Sequence, residues 1–413
     1  MTNLCDANEV CELGLAPTAR GEAPPFGAGP ALFALSVGGL ALGTGEFASM
    51  GLVPNVAADL GVTIPQAGHT ISAYALGVVV GAPLLAVLFA RAPKRELLIG
   101  LMIFFAIGNI ASATAPGYLS LNVGRFLAGL PHGAYFGVAA LVAAALAPPN
   151  KRAQAVGLVM LGLSVANVVG VPFATWLGQT FGWRYAFFAV AAIGAVDAAL
   201  VFLFAPRIRV EAGASARREL AAFASLQVWL TLGVAAIGFG GMFAVYSYVA
   251  PTLTEVTGLQ ASTVPAMLAV IGLGMIAGNT VGGWLADQAL KPALIGFLLW
   301  NVTALALFTV TSSNVWLATI NLFAIGCGIA IGPAVQTRLM DVAADSQTLA
   351  AALNHSAFNL ANALGAWLGG LAIAAGYGWT SLGWVGVALA LGGLVILLVS
   401  FAVEKRASAL STA

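Results

Sequence analysis

The sequence predicts an all-α integral membrane protein whose twelve transmembrane helices form two pseudo-symmetric six-helix bundles. Three observations carry that prediction. Of 413 residues, 60% are hydrophobic and 8% are charged, against about 25% charged in a soluble domain. Mean hydropathy is +0.97, and a water-soluble core of this size has no room for so much apolar surface. The apolar residues fall into runs of about 20 or more, and the two halves of the chain resemble each other. Fifty glycines fit the same class, because small residues let helices in lipid approach closely.

The elements follow in order. Residues 1–30 carry Asp6, Glu9 and Glu12 where a signal peptide needs basic residues, and the apolar stretch there is too short for one. They read as a disordered cytoplasmic tail. Spans are expected at 31–53, 67–90, 96–115, 119–146, 152–178 and 183–205, the first bundle being 31–205. The longest interior polar segment, 206–225, reads as a cytoplasmic linker. Further spans at 226–250, 261–286, 291–312, 314–337, 347–374 and 379–403 make the second bundle, 226–403, before a cytoplasmic tail at 404–413. Pro93, Pro116, Pro148, Pro149, Pro206 and Pro292 fall at the breaks, as expected of residues without an N–H donor. The runs lack the alternation of a barrel, which leaves helices.

Orientation follows from the basic residues. Arg20, Arg91, Lys94, Arg95, Lys151, Arg152, Arg207, Arg209, Arg217, Arg218, Lys291, Arg338, Lys405 and Arg406 all lie in tails or loops of one side; only Arg125 and Arg184 fall elsewhere. The positive-inside rule puts both termini in the cytoplasm of a cell whose plasma or inner membrane holds the protein. The repeat is visible in GVVVGAPLLAVLFARAPKREL (77–97) and GMIAGNTVGGWLADQALKPAL (274–294), aligned without a gap at an offset of 197. ANVVG (166–170) and ANALG (361–365) align at 195. Together they indicate a parallel duplication about an axis along the membrane normal.

GEF (45–47), AGHTISAYALGVVVGAP (67–83), GRFLAGLPHGAYFGV (124–138), GVP (170–172) with GWRYAFF (182–188), and FNLANALGA (358–366) resemble a known family. The chain resembles the major facilitator superfamily, within it the drug:proton antiporters, in the branch of sugar-efflux-type and chloramphenicol exporters. The resemblance covers roughly residues 30–405 and implies the major facilitator fold. The family's cytoplasmic gating motif is Gly-x-Leu-Ala-Asp-Arg-x-Gly-Arg-Arg. Its first copy keeps Arg91, Lys94 and Arg95 but has Ala90 for the acid; the second keeps Gly283, Leu285, Ala286 and Asp287. The antiporter motif of span five corresponds to Gly162, Gly170 and Pro172, with Val171 inserted in its closing Gly-Pro.

Glu46 is the residue that most needs a reason, since no other charge occurs from Gly27 to Ala58 and a charge buried in lipid is costly. It lies seven residues in from the expected end of span one at Val53, about 10 Å deep at about 1.5 Å per residue. Arg125 is six residues into span four, at a matching depth. In the resembled fold spans one and four line the central cavity, so the two are expected partners. They read either as a packing ion pair or as a proton-coupling site. Burial favours the neutral acid and a nearby cation favours the carboxylate, so a site between those influences can take up and release protons. His132 is two helical turns after Arg125 on the same face and reads as a proton relay, a substrate contact or a packing group. His69, near the outer loop, is a weaker candidate.

Two stripes complete the expected cavity. Span seven presents Phe239, Phe243 and Tyr246, suited to a flat apolar solute or to packing. Span eleven presents His355, Asn359 and Asn362, suited to the transport path or to interhelical hydrogen bonds. Asp197 in span six has no evident role, being either protonated or paired with a neighbouring helix. Asp287 suits an inner gate. Asp341 and Arg338 read as loop charges. Gly38, Gly39, Gly43, Gly45, Gly272, Gly274 and Gly278 are expected to permit close contact as the halves rock.

None of the four lysines follows a glycine, so no phosphate loop is present. No HExxH, GxSxG or clustered histidines point to an enzyme, a cofactor or a metal. No basic patch suggests nucleic acid. Cys5, Cys11 and Cys327 read as free thiols. The expected function is proton-coupled efflux of a small neutral or amphiphilic solute such as chloramphenicol, by a monomer in the lipid bilayer. The alternative is a uniporter or proton symporter of a sugar or nucleoside-like metabolite.

Overall fold

The computed structural model describes residues 27–89, 92–148, 152–207, 225–343 and 347–411. Arg91, most of the 206–225 linker, and Cys5 and Cys11 of the N-terminal tail lie outside the described residues. Among the described residues there is no strand, and all twelve spans are present. The first four are continuous helices: Ala28–Leu60, Ile64–Leu88, Lys94–Ala113 and Tyr118–Leu146. Span five is Arg152–Val165, a π turn Ala166–Gly170, and Val171–Phe181; span six is Trp183–Phe204. Span seven comes in three pieces, Leu226–Gly238, Gly240–Ser247 and Val249–Glu255. Spans eight and nine form one run, Val264–Thr311, bent at Ala289 (φ −157°, ψ 82°). Span ten is Val315–Cys327, a 3-10 turn Gly328–Ala330, and Ile331–Ala343; spans eleven and twelve are Gln347–Ala374 and Ser381–Ser411. Large apolar side chains stand exposed around the outside, such as Trp284 at 62% and Ile320 at 67%. In water that belt would be a liability; in a bilayer it is solvated.

All the interruptions but the one at Phe239 share a cause. Pro172, Pro251, Pro292 and Pro333 each follow an irregular turn by a few residues: the π turn, Tyr248, Ala289 and the 3-10 turn. Proline removes the bond to the carbonyl four residues back and its ring crowds that carbonyl, so the helix yields there. Pro54, Pro83 and Pro131 are carried inside continuous helices.

The face where span one begins and span twelve ends is here called proximal, the opposite face distal. On the distal face the duplication shows as a shared fastening. Trp183 Nε1 donates to Asp59 Oδ2 at 3.0 Å, tying span six to span one. Trp379 Nε1 donates to Glu255 Oε2 at 2.7 Å, tying the start of span twelve to the end of span seven. Both indoles and both acids are 196 residues apart, and each indole follows a left-handed glycine, Gly182 or Gly378. In the first half Arg184 adds a second bond to Asp59; in the second half that position is Thr380.

The halves meet along spans one, two and five on one side and seven, eight and eleven on the other. Ser72 Oγ donates to Ala363 O at 3.1 Å. A Cβ on Gly68 would meet Tyr248 Oη at 2.2 Å, and one on Gly272 would meet the carbonyl of Asn167, in the π turn, at 2.5 Å. These contacts close the distal part of the seam.

The glycine expectation needs correcting. Only Gly272 of the seven packs across the seam. Gly38 faces Tyr135, Gly39 and Gly43 face span five, and Gly45 faces Phe105 and Val190, all within the first half. Gly274 and Gly278 face span ten within the second.

Arg338 is corrected as well. It is buried, donating to Glu404 Oε2 at 2.9 Å and Gln227 Oε1 at 3.2 Å, with Lys291 also 3.0 Å from Glu404. Span twelve stays helical to Ser411, so residues expected in a tail bring Glu404 to that hub.

Candidate functional site

Span one turns its glycines into its own half, where Gly43 sits on Leu163 and Ala166 and Gly45 on Phe105 and Val190. The next residue, about 100° round the helix at 3.6 per turn, is Glu46, which therefore points into the seam. It is 5% exposed. Asn362 Nδ2 of span eleven donates to Glu46 Oε1 at 3.1 Å. His132 Nε2 of span four lies 3.8 Å from Oε2, and Tyr74 Oη lies 2.9 Å from His132 Nδ1. The tautomer with its proton on Nε2 suits both, accepting from the phenol and turning N–H toward the carboxyl.

Arg125 is at the expected depth but does not pair with Glu46. Its Nη2 donates to Gly45 O at 2.8 Å, and its guanidinium lies 4.3 Å from the Tyr74 ring centroid and 5.1 Å from that of Phe187. A planar, weakly hydrated cation is well placed on aromatic faces. The Glu46 side chain is aimed instead at His132 and the opposite half.

The second half faces this cluster with aromatics and amides. Phe47 stacks on Phe243 at 6.3 Å between centroids and lies 5.7 Å from Tyr246. Phe239 packs edge-on to Phe243 and Phe358. His355 stacks on Phe136 of span four at 5.5 Å, next to the His132 ring. Asn359 Nδ2 donates to His355 O. With both amide N–H groups engaged, Asn359 Oδ1 and Asn362 Oδ1 remain buried without a partner, as does Tyr246 Oη. A solute with hydrogen-bond donors is what such acceptors lack.

The remaining candidates lie outside the Glu46 cluster. Arg95 donates to Phe202 O, Lys94 begins span three, and Asp287 is exposed near the proximal end of span eight with Gly283 in open space. Gly162 packs on Ser36 O and Gly170 on Thr44 Oγ1, so the span-five motif fits span five to span one, and Pro172 adjoins its π turn. His69 Nδ1 meets Tyr118 Oη at 2.5 Å near the distal face. Asp197 faces the interior of the first half, where Tyr135 Oη is 3.2 Å from its Oδ2. It is therefore a helix-to-helix contact and not a lipid-facing charge.

The profile of the Major Facilitator Superfamily matches residues 35–345 and again 232–413, overlapping stretches that both fall on this two-bundle architecture. The chain belongs to that superfamily. It is 41% identical over 376 residues to the inner membrane transport protein YdhP of Escherichia coli K12, covering 91% of this chain and 96% of the relative. It is 35% identical over 343 residues to a chloramphenicol resistance protein of Streptomyces lividans, covering 81% and 86%. Among solved structures it is similar to a bacterial homolog of the human lysosomal transporter Spinster in an inward-facing, unoccupied conformation. The TM-score is 0.68 at 18% identity, covering 90% of this chain and 95% of that one, a likeness of fold. This major facilitator protein is thus a multi-pass membrane transporter of small molecules.

Sequence reasoning missed Tyr74, which links His132 and Arg125; a lone tyrosine in an apolar run gives no signal. It also missed the two acid–indole fastenings. Their offset of 196 lies between the two repeat offsets already visible and was available to find them.

Proposed function

We propose that the protein is a proton-coupled antiporter that exports a small neutral or amphiphilic solute, chloramphenicol or a similar drug, by alternating access. The observation carrying this reading is Glu46 in the seam, bonded to Asn362 of the opposite half with His132 beside it. A carboxylate accepts the Asn362 N–H more strongly than the protonated acid does. Loading a proton thus loosens a tie between the halves, and losing it restores the tie. Solute reaching Asn359, Asn362 and Tyr246 competes for the same space, so solute and proton exclude each other. The halves 31–205 and 226–403 rock about this seam, joined by 206–225. The basic loops favour a cytoplasmic proximal face. The similarity to a chloramphenicol resistance protein supports the drug reading and needs no enzyme chemistry or cofactor. One monomer contains every group invoked.

The unpartnered amide oxygens also suit a hydroxyl-rich solute, so uniport or proton symport of a sugar or nucleoside is the second reading. One experiment separates the two. Purified protein in weak buffer near neutral pH is given labelled chloramphenicol or a pentose while proton release is followed. Antiport predicts binding with release, and binding without release in Glu46→Gln. Binding without release in the native protein favours the second reading, and release retained in Glu46→Gln removes Glu46 from the mechanism.

A further inference from the structure

Spans three and six run side by side on the lipid-facing side of the first half, and between them lies an apolar groove of about 360 Å³. Ile99, Ile103 and Ile107 form one wall; Ala195, Ala199 and Phe202 form the other. Branched side chains opposite alanines leave the furrow. Span three begins at Lys94, so at about 1.5 Å per residue Ile99 lies about 8 Å and Ile107 about 20 Å from its proximal end. The furrow therefore covers the depth of one leaflet of a hydrocarbon core about 30 Å thick.

Its proximal end is ringed by cations. The Arg95 guanidinium lies 5.0 Å from the centroid of Phe202, a wall residue, and donates to the Phe202 carbonyl. Lys94 is beside it. Arg207, 64% exposed, is 3.4 Å from Glu96 Oε1. Among the described residues, two arginines thus share this end of the furrow with one carboxylate, Glu96, which Arg207 meets. The excess suits a phosphate, which arginine can bind with two parallel N–H groups. Among the described residues, a headgroup's own ammonium would meet Glu96, already engaged by Arg207.

We propose that one anionic phospholipid binds here, its phosphate on Arg95 and Arg207 and one acyl chain along Ile99, Ile103 and Ile107. The site is not remote from the seam. Phe105 of span three and Val190 of span six are the side chains on which Gly45, next to Glu46, rests. A lipid filling the outer furrow holds together the two helices that back the proton site.

The test is mass spectrometry of the intact protein released from micelles containing equal phosphatidylglycerol and phosphatidylcholine with identical tails. The native protein is expected to retain one phosphatidylglycerol per chain, at least tenfold over phosphatidylcholine. Arg95→Gln with Arg207→Gln should bring the ratio close to one. Ile103→Trp fills the furrow without touching a charge and should lower phosphatidylglycerol retention at least fivefold. If the arginine variant does not fold, Ile103→Trp decides alone. Equal retention of both lipids by the native protein overturns the proposal, as does native-like retention in Ile103→Trp.

Discussion

The two halves share a scaffold and differ in chemistry. Each fastens the distal end of its first helix with an indole on its last, Trp183 to Asp59 and Trp379 to Glu255. Yet the buried titratable groups at the seam are unevenly dealt. Glu46, Arg125, His132 and Tyr74 belong to the first half, while the second answers with Asn359, Asn362, His355 and aromatic rings. Span one is continuous where span seven is in three pieces. A duplicated scaffold can thus carry a charged face on one copy and a recognition face on the other. The arrangement suits the proton site proposed above, because two facing carboxylates would repel or share a proton.

Moving the acid to the other half is the hardest test of that division. Glu46→Gln with Asn362→Asp keeps one carboxyl and one amide at the 3.1 Å contact but exchanges their owners. Proton-driven efflux is expected to be abolished, because His132 and Tyr74 stay oriented toward position 46. Efflux in vesicles at even a tenth of the native rate would mean that either half can carry the acid.

A smaller effect separates the seam from the interior of a half. Gly272→Ala adds a Cβ 2.5 Å from Asn167 O across the seam, and Gly278→Ala adds one 2.3 Å from Cys327 O within the second half. The first should shift the balance of states, read as greater labelling of a distal cysteine, with the melting temperature nearly unchanged. The second should cost stability, about 1–3 kcal/mol as overpacking, with little change in labelling. The reverse pattern would mean that the halves do not part along spans five and eight.

The smallest effect compares the fastenings. Glu255→Gln weakens one exposed hydrogen bond, whereas Asp59→Asn also loses the Arg184 ion pair. Melting temperatures should fall by about 1 °C and about 3 °C respectively, given the modest worth of exposed pairs. Equal losses would deny the added arginine any role.

The spans were legible because lipid imposes one simple demand, an apolar run long enough to cross it. Depth was legible too: counting residues brought Arg125 level with span one, where it holds Gly45 O. Rotation about the helix axis was not. One residue turns a side chain by about 100°, so a count cannot say that Arg125 takes a carbonyl and two rings while Glu46 faces the opposite half. Arg338 misled for another reason. A cation at a span end normally meets water, but Glu404 reaches it from a helix whose length its charged last turns concealed. The breaks at the π turn, Tyr248 and the 3-10 turn follow from prolines that were plain to see; the consequence of the first, an Asn167 carbonyl close to Gly272, depends on the neighbouring helix.

The fastenings also decide what light can report about this molecule. The chain has nine tryptophans. Two are the fastening indoles, and the other seven stand on the exposed surface, Trp176 and Trp367 among them. None is at Glu46 or the aromatic stripe, so a solute entering the seam touches no tryptophan. Any change in indole emission on adding a solute would therefore report a change of conformation or surroundings at a distance, and not contact with the solute. A signal from contact itself needs a reporter placed there, and Phe243→Trp would supply one.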